Sequence, residues 1–300
     1  MSLPVNARPS FLDLPPEWRD SETARAVVLP VPYEATTSYG KGTERGPSAI
    51  LEASSQVEFY DLELDAEPCR EGICTLEALR LPRDGAAMAD ALRRAYDAVL
   101  DDRRFVVALG GEHTITYPLV AAWKDRLGED SGLHVLQLDA HADLRDEYEG
   151  TPWSHACVMR RVVDAGVPVV GVGLRSLSSE EHAMMLETPQ VAVLGPELGR
   201  AGWIDRILEA LGPKVYLTCD VDFFDPSLVP ATGTPEPGGG RWGQALALLR
   251  RVFAEREVVA ADVVELAPIE GFHAPDFVVA KLVYKILGYA LVLGRHGAAG

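Results

Sequence analysis

The run HVLQLDAHAD, His134 to Asp143, sets the apolar residues Val135, Leu136 and Leu138 directly before Asp139, His141 and Asp143, which recur at every second position. In an extended chain alternate side chains share a face, so the two acids and the imidazole point the same way. Held that close, they repel or lose hydration at real cost unless something positive sits among them. A metal ion is the obvious candidate. The chain around this run must therefore fold so that a buried strand ends at a charged site.

Five further β-like runs share its character: ARAVVLPV, FVVALGG, VPVVGVG, KVYLTCDVD and VVAADVVEL. Between strands lie segments such as AAMADALRRAYDAVL and GRWGQALALLRRVF, whose Ala, Leu and Arg content favours helix. This alternation predicts an α/β chain with three layers, α-β-α, around a mostly parallel, doubly wound sheet. With 300 residues and 47% hydrophobic side chains the chain can bury one large core. Pro and Gly are spread throughout, with no linker, fixed-period repeat or low-complexity tract, so a single domain over 1–300 is expected.

A net charge of -17 argues against a nucleic-acid partner and suits attraction of cationic ligands, although solubility alone accounts for an acidic balance. The amino end, MSLPVNARPSFLDLPPEWRD, has no uninterrupted apolar segment behind a basic start, so no secretory signal is expected and residues 1–24 read as an irregular extension. The apolar segment VVAKLVYKILGYALVLG carries Lys281 and Lys285 four apart, which suits a packed amphipathic helix better than a membrane span. Cys69, Cys74, Cys157 and Cys219 form no close zinc-like quartet; reduced thiols in a cytoplasm are the default, with a Cys69 to Cys74 disulfide left open.

Polar residues gather where these strands end, the edge at which open α/β sheets place ligands. FVVALGG runs into Glu112 and His113, KVYLTCDVD repeats the two-residue spacing with Asp220 and Asp222, and Glu265 follows VVAADVV. Each group alone has a duller explanation: a single strand-end Asp is usually a cap or turn former, and a single His a hydrogen-bonded structural one. Several apolar strands leading to DxHxD and DxD at once form a costly arrangement without a cation.

These motifs resemble the ureohydrolase family of arginase and agmatinase, agmatinases most closely. YGKGTERGPSAILEAS, LGGEHT, LDAHAD, SHACVMRR, DVDFFDPSLVPATGTPEPGG and DVVEL follow one another in family order. The resemblance implies two manganese ions per chain: His113 and Asp143 on one, His141 and Asp222 on the other, with Asp139 and Asp220 bridging. Four carboxylates and two imidazoles suit Mn(II) on their own chemistry, with zinc, cobalt or nickel as substitutes, and the four negative charges balance two divalent ions. A water shared by such ions loses a proton near neutral pH and can attack a guanidinium carbon. By the same resemblance His155, in SHACVMRR, transfers a proton to the leaving amine, and Glu265 orients the guanidinium through its carboxylate.

The function implied is hydrolysis of agmatine to putrescine and urea by a cytoplasmic homo-oligomer, trimer or hexamer by family analogy, with a small cationic guanidino substrate and neither nucleic-acid nor membrane partners. The rivals are arginase, guanidinobutyrase or a related guanidino-acid hydrolase, a metal-dependent binding protein on the same fold, and a weak calcium binder, against which two imidazoles count. In the loop LRDEYEGTPWSH, Asp146, Glu147 and Glu149 outnumber Arg145, and Trp153 offers an aromatic face, which favours a cationic substrate tail, against the plainer reading of a solvated loop with a structural Trp. Two departures from the family pattern, Glu112 for Asp and Thr114 for Ser, alter reach or bulk beside the ligands.

Overall fold

The computed structural model describes residues 9–101, 103–187 and 191–294. Strands and helices alternate along the chain. The first half runs β1 (Ala26–Val31), α1 (Gly46–Ser54), β2 (Ile73–Thr75), α2 (Gly85–Asp97), β3 (Phe105–Gly110), α3 (Thr116–Leu127), β4 (Leu133–Leu138) and α4 (Val158–Asp164). The second runs β5 (Val169–Leu174), α5 (Ser179–Glu187), β6 (Val191–Leu194), α6 (Trp203–Ala210), β7 (Lys214–Asp220), α7 (Trp242–Glu255), β8 (Glu257–Val264) and α8 (Ala274–Val292).

The strands form one eight-stranded sheet in the order β2-β1-β3-β8-β7-β4-β5-β6, and every pairing between neighbours is parallel. All carboxyl ends therefore lie on one edge. Because β8 and β7 are inserted between β3 and β4, the four strands whose ends carry His113, Glu265, Asp220 and Asp139 are consecutive neighbours at the middle of the sheet. The expected three-layer α/β architecture is thus present. The two strands beyond the six expected, β2 and β6, are the edges. Three and four residues long, they present too short an apolar run to be separated from loop by periodicity.

Two apolar layers sandwich the sheet. One face packs against α1, α6, α7 and α8 through residues such as Ile50, Ile207, Leu248 and Leu282; the other packs against α2, α3 and α4 through Leu92, Trp123 and Val162. Of the irregular segment expected over 1–24, residues 1–8 lie outside the described residues, and 9–24 hold two 3₁₀ turns, Phe11–Asp13 and Pro16–Trp18. Phe11, Leu12 and Leu14 are buried in the first layer, so this stretch packs against the core. The four cysteines are free and buried.

The helix α8 differs from the amphipathic expectation. Its residues are buried almost all round from Val279 to Leu291, Lys285 included, because it is covered by α1, α7 and the segment near residue 61. Lys285 Nζ donates to both carboxylate oxygens of buried Asp61, each at 2.9 Å. Burial works against the charged carboxylate, yet the lysine holds Asp61 below its ordinary pKa. Among the described residues no helix is long and apolar enough to cross a membrane. Removing one partner of a buried ion pair strands the other charge, so Lys285→Ala should lower unfolding free energy by about 3–5 kcal/mol, read as a shift in urea midpoint at unchanged slope.

Candidate active site

Each polar group reaches the cleft because its strand stops just before it. Asp139 follows β4, Asp220 is the last residue of β7, and Glu265 follows β8. His113 opens the short 3₁₀ turn after β3, reached through Gly110, Gly111 and Glu112. Gly111 is dictated by close approach: a Cβ there would lie 2.0 Å from the carbonyl oxygen of Tyr33. Asp143 and Glu265 stand at φ 54 and φ 66, left-handed conformations unusual outside glycine, which turn their side chains out of the line of the chain.

The six expected ligands come together. His113 Nδ1 lies 2.9 Å from Asp143 Oδ2, 3.2 Å from Asp139 Oδ2 and 3.6 Å from Asp220 Oδ2. His141 Nδ1 lies 2.8 Å from Asp222 Oδ2 and 3.8 Å from Asp139 Oδ1. Two groups able to hold a cation result, His113 with Asp139 and Asp220, and Asp139 with His141 and Asp222; Asp139 belongs to both. Donors bonded at about 2.1 Å to one cation, at octahedral or tetrahedral angles, stand about 3.0–3.4 Å apart, so the observed spacings suit that use. His113 Nδ1 is buried, faces three carboxylates and makes no hydrogen bond of good geometry to any of them, an arrangement that a cation placed among these groups completes. The residues fit a pair of divalent metals.

Beneath them lies a polar layer. Thr218 donates its hydroxyl proton to Asp262 Oδ1 at 2.6 Å and stands 2.8 Å from His113 Nε2. Accepting from Nε2–H there leaves Nδ1 bare toward the acids. Asp262 is fully buried and also accepts from Tyr216 and Thr116 at 2.8 and 3.0 Å. Gln137 donates to Asp139 Oδ2 at 2.8 Å.

A cleft of about 280 Å³ opens over the cluster, and His155 and Glu265 both line it. Glu265 Oε1 accepts the backbone N–H of His113 at 2.7 Å, while Oε2 has no partner among the described residues. Glu112 does not line the cleft. Fully buried, it accepts the backbone N–H groups of Ala35 and Thr36, both at 2.7 Å, and the hydroxyls of Thr36 and Thr114 at 2.8 and 2.7 Å.

The Arginase family model matches residues 24–288. The N(1)-aminopropylagmatine ureohydrolase of Synechocystis sp. is 41% identical over 293 residues, covering 93% of this chain and 95% of that protein. The agmatinase of Pyrococcus horikoshii is 31% identical over 274 residues, 90% of this chain and 93% of the relative. The crystal structure of agmatine ureohydrolase of Thermoplasma volcanium superposes with a TM-score of 0.79 at 29% identity, over 89% of this chain and 90% of the other. The chain belongs to the arginase family. Within it, this is an agmatinase-like ureohydrolase, a metal-binding hydrolase acting on linear amidines of polyamine metabolism.

In this ureohydrolase the loop expected to meet the substrate tail is arranged differently. Asp146, Glu147 and Glu149 are exposed and do not line the cleft, and Asp146 is paired with Arg161. Trp153 packs beside Tyr117, ring centroids 6.0 Å apart, and against Gly85 at the start of α2. Arg145, Tyr148 and Glu181 take that place at the cleft wall, with Arg145 over the Tyr148 ring at 5.2 Å and 4.0 Å from Glu181. The acid count misjudged the loop because its charges point to solvent or to Arg161 on α4, away from the cleft. Sequence reasoning also missed Thr36, Asp262, Thr218 and Arg175. For Thr218 a signal existed, since it alternates with Asp220 on one strand face. Arg175 gathers the carbonyls of Asp222 and Glu236, at 2.7 and 2.8 Å, and so ties the GTPEPGGG loop to the DVD segment.

The protein alone is overloaded with negative charge. Burial, then Asp143 and Asp222, push Asp139 up to about 7; burial, then Asp222 and Asp139, push Asp220 well above the carboxylate range. Burial would lower His141, but Asp222, Asp139 and Asp143 outweigh it and raise its pKa to about 10. Below about 10 the metal-free cluster therefore keeps a proton on His141, and a cation must displace it. Apparent Mn(II) affinity should rise with pH by about tenfold per unit for each proton displaced. Chelator competition at several pH values measures this; a pH-independent affinity would contradict it.

Proposed function

We propose that this ureohydrolase removes the amidino group of a guanidino polyamine as urea, using two manganese ions, with N(1)-aminopropylagmatine preferred and agmatine the shorter substrate. The observation that carries the choice is the 41% identity to the Synechocystis aminopropylagmatine enzyme across nearly both chains, against 31% to the Pyrococcus agmatinase. The products are then spermidine from the aminopropyl compound and putrescine from agmatine.

When bound, the two manganese ions lower the pKa of a water and supply a nucleophile at neutral pH. His113, Asp139, His141, Asp143, Asp220 and Asp222 are the residues that hold them. Glu265 keeps Oε1 on the His113 amide and offers Oε2 to an N–H of the guanidinium, which holds the planar group over the cluster. His155 gives a proton to the leaving nitrogen as its bond to the guanidino carbon breaks. Toward the mouth, Tyr39, 80% exposed, presents an aromatic ring suited to an ammonium-bearing tail.

A second reading rests on Arg145, the only Arg or Lys among the described residues that line the cleft. It would receive the carboxylate of a guanidino acid. Its proximity to Glu181 and Tyr148 argues that its charge is already answered.

With Mn-loaded protein, kcat/KM for N(1)-aminopropylagmatine should exceed that for agmatine by about tenfold or more, worth about 1.4 kcal/mol in transition-state binding. Arginine and guanidinobutyrate should trail both; preference for either acid transfers the assignment to the second reading. His155→Asn should cut urea release by about 10²-fold or more while bound manganese is unchanged, because this residue moves a proton and holds no ion. Full turnover in that variant removes His155 from the reaction.

A further inference from the structure

The loop after β1 touches His155 through one hydroxyl. Thr36 Oγ1 lies 2.8 Å from Glu112 Oε1, 3.1 Å from the backbone nitrogen of His155 and 3.2 Å from His155 Nδ1. A threonine hydroxyl has one proton to give and two lone pairs to accept with. The proton goes to Glu112, whose carboxylate oxygens accept. The His155 backbone N–H occupies one lone pair. What remains for Nδ1 is the second lone pair, so Nδ1 must be the donor.

We propose that Thr36, fixed by Glu112, is a positioning residue that holds His155 in the Nδ1–H form and leaves Nε2 as the nitrogen that exchanges the substrate proton. The inference rests on the proton-transfer role of His155 proposed above. In the step it serves, the attacking water's oxygen bonds to the guanidino carbon and its proton reaches Nε2. The same nitrogen then protonates the leaving nitrogen as the C–N bond breaks and its electron pair passes to that nitrogen. The Nδ1 proton stays on Nδ1, directed at Thr36, throughout.

The surroundings make the hydroxyl hard to turn. Glu112 Oε2 accepts two backbone amides of the same loop, so the carboxylate and Thr36 cannot shift independently, and Thr114 donates to the same Oε1 as Thr36. The side chain of Glu112 carries its buried carboxylate from the end of β3 to this loop. Tyr148 packs edge-on to the His155 ring at 5.9 Å. The competing neighbour is Ser154, whose Oγ is 3.4 Å from Nδ1 and also accepts the Ala156 N–H at 3.4 Å. Both distances are longer than those to Thr36.

Two measurements test this. Neutron diffraction from deuterated, Mn-loaded crystals should show the Thr36 deuteron directed at Glu112 and a deuteron on His155 Nδ1 directed at Thr36. A bare Nδ1 facing a deuteron from Thr36 or Ser154 overturns the inference. In solution, Thr36→Val should lower kcat by about 10- to 100-fold with KM changed by less than about threefold, and Thr36→Ser should stay within about threefold of the parent. If His155→Asn abolishes turnover while Thr36→Val leaves kcat intact, the positioning role fails and the proton-transfer role stands. If His155→Asn itself retains full turnover, both fall.

Discussion

Four carboxylates and two imidazoles are gathered at the carboxyl ends of adjacent buried strands, most of them almost inaccessible to water. That density of buried negative charge displaces the pKa values of Asp139, Asp220 and Glu265 upward. Burial is the largest cause at each of the three, and a neighbouring carboxylate comes next. The fold answers by placing these groups where cations complete them. An all-parallel sheet aligns every strand terminus on one edge, and the insertion of β8 and β7 between β3 and β4 brings the right four ends side by side.

Rigidity beneath the cluster follows from the same demand. Asp262 sits in β8 opposite Thr218 of β7 in register, accepts three hydroxyls, and through Thr218 sets which nitrogen of His113 faces the acids. A buried anion without those donors would be costly; with all three it is a fixed base for the imidazole. Arg175 acts in the same way on the other side with backbone carbonyls, binding the segment that carries Asp222 to the loop from Gly233 to Gly240.

Much of this was legible in the sequence. The six long strands announced themselves as apolar runs, and the ligand candidates stood at alternating positions where those runs ended. Edge strands β2 and β6 were too short to announce themselves. Lys281 and Lys285 read as marks of an amphipathic helix because the partner of Lys285, Asp61, lies 224 residues away in the chain, and no local pattern records such a pairing. The loop after Asp143 was misjudged for the same reason: Asp146 commits its charge to Arg161, and Trp153 its ring to Tyr117 and Gly85. Composition reports which charges a segment carries, whereas contacts across the fold decide which of them remain for a ligand.

The link between Glu265 and His113 shows how far those contacts reach into the proposed chemistry. The Glu265 N–H donates to the Gly111 carbonyl at 2.8 Å, and the Glu265 side chain receives the His113 N–H at 2.7 Å. This reciprocal pair closes a small ring between the ends of β8 and β3. It needs the left-handed backbone at Glu265, at about 1–3 kcal/mol for a residue with a side chain, and the bare Cα of Gly111, which alone lets the chain after β3 pass so close to Tyr33. The carboxylate proposed to orient the guanidinium is thus anchored to the main chain of a residue proposed to hold a metal. Substrate and cation positions are then set by one rigid unit, and a shift of either strand end moves both together. A reaction that requires a carbon atom to be held within bonding reach of a nucleophile gains from that coupling, because the distance between them is no longer left to two independently mobile side chains.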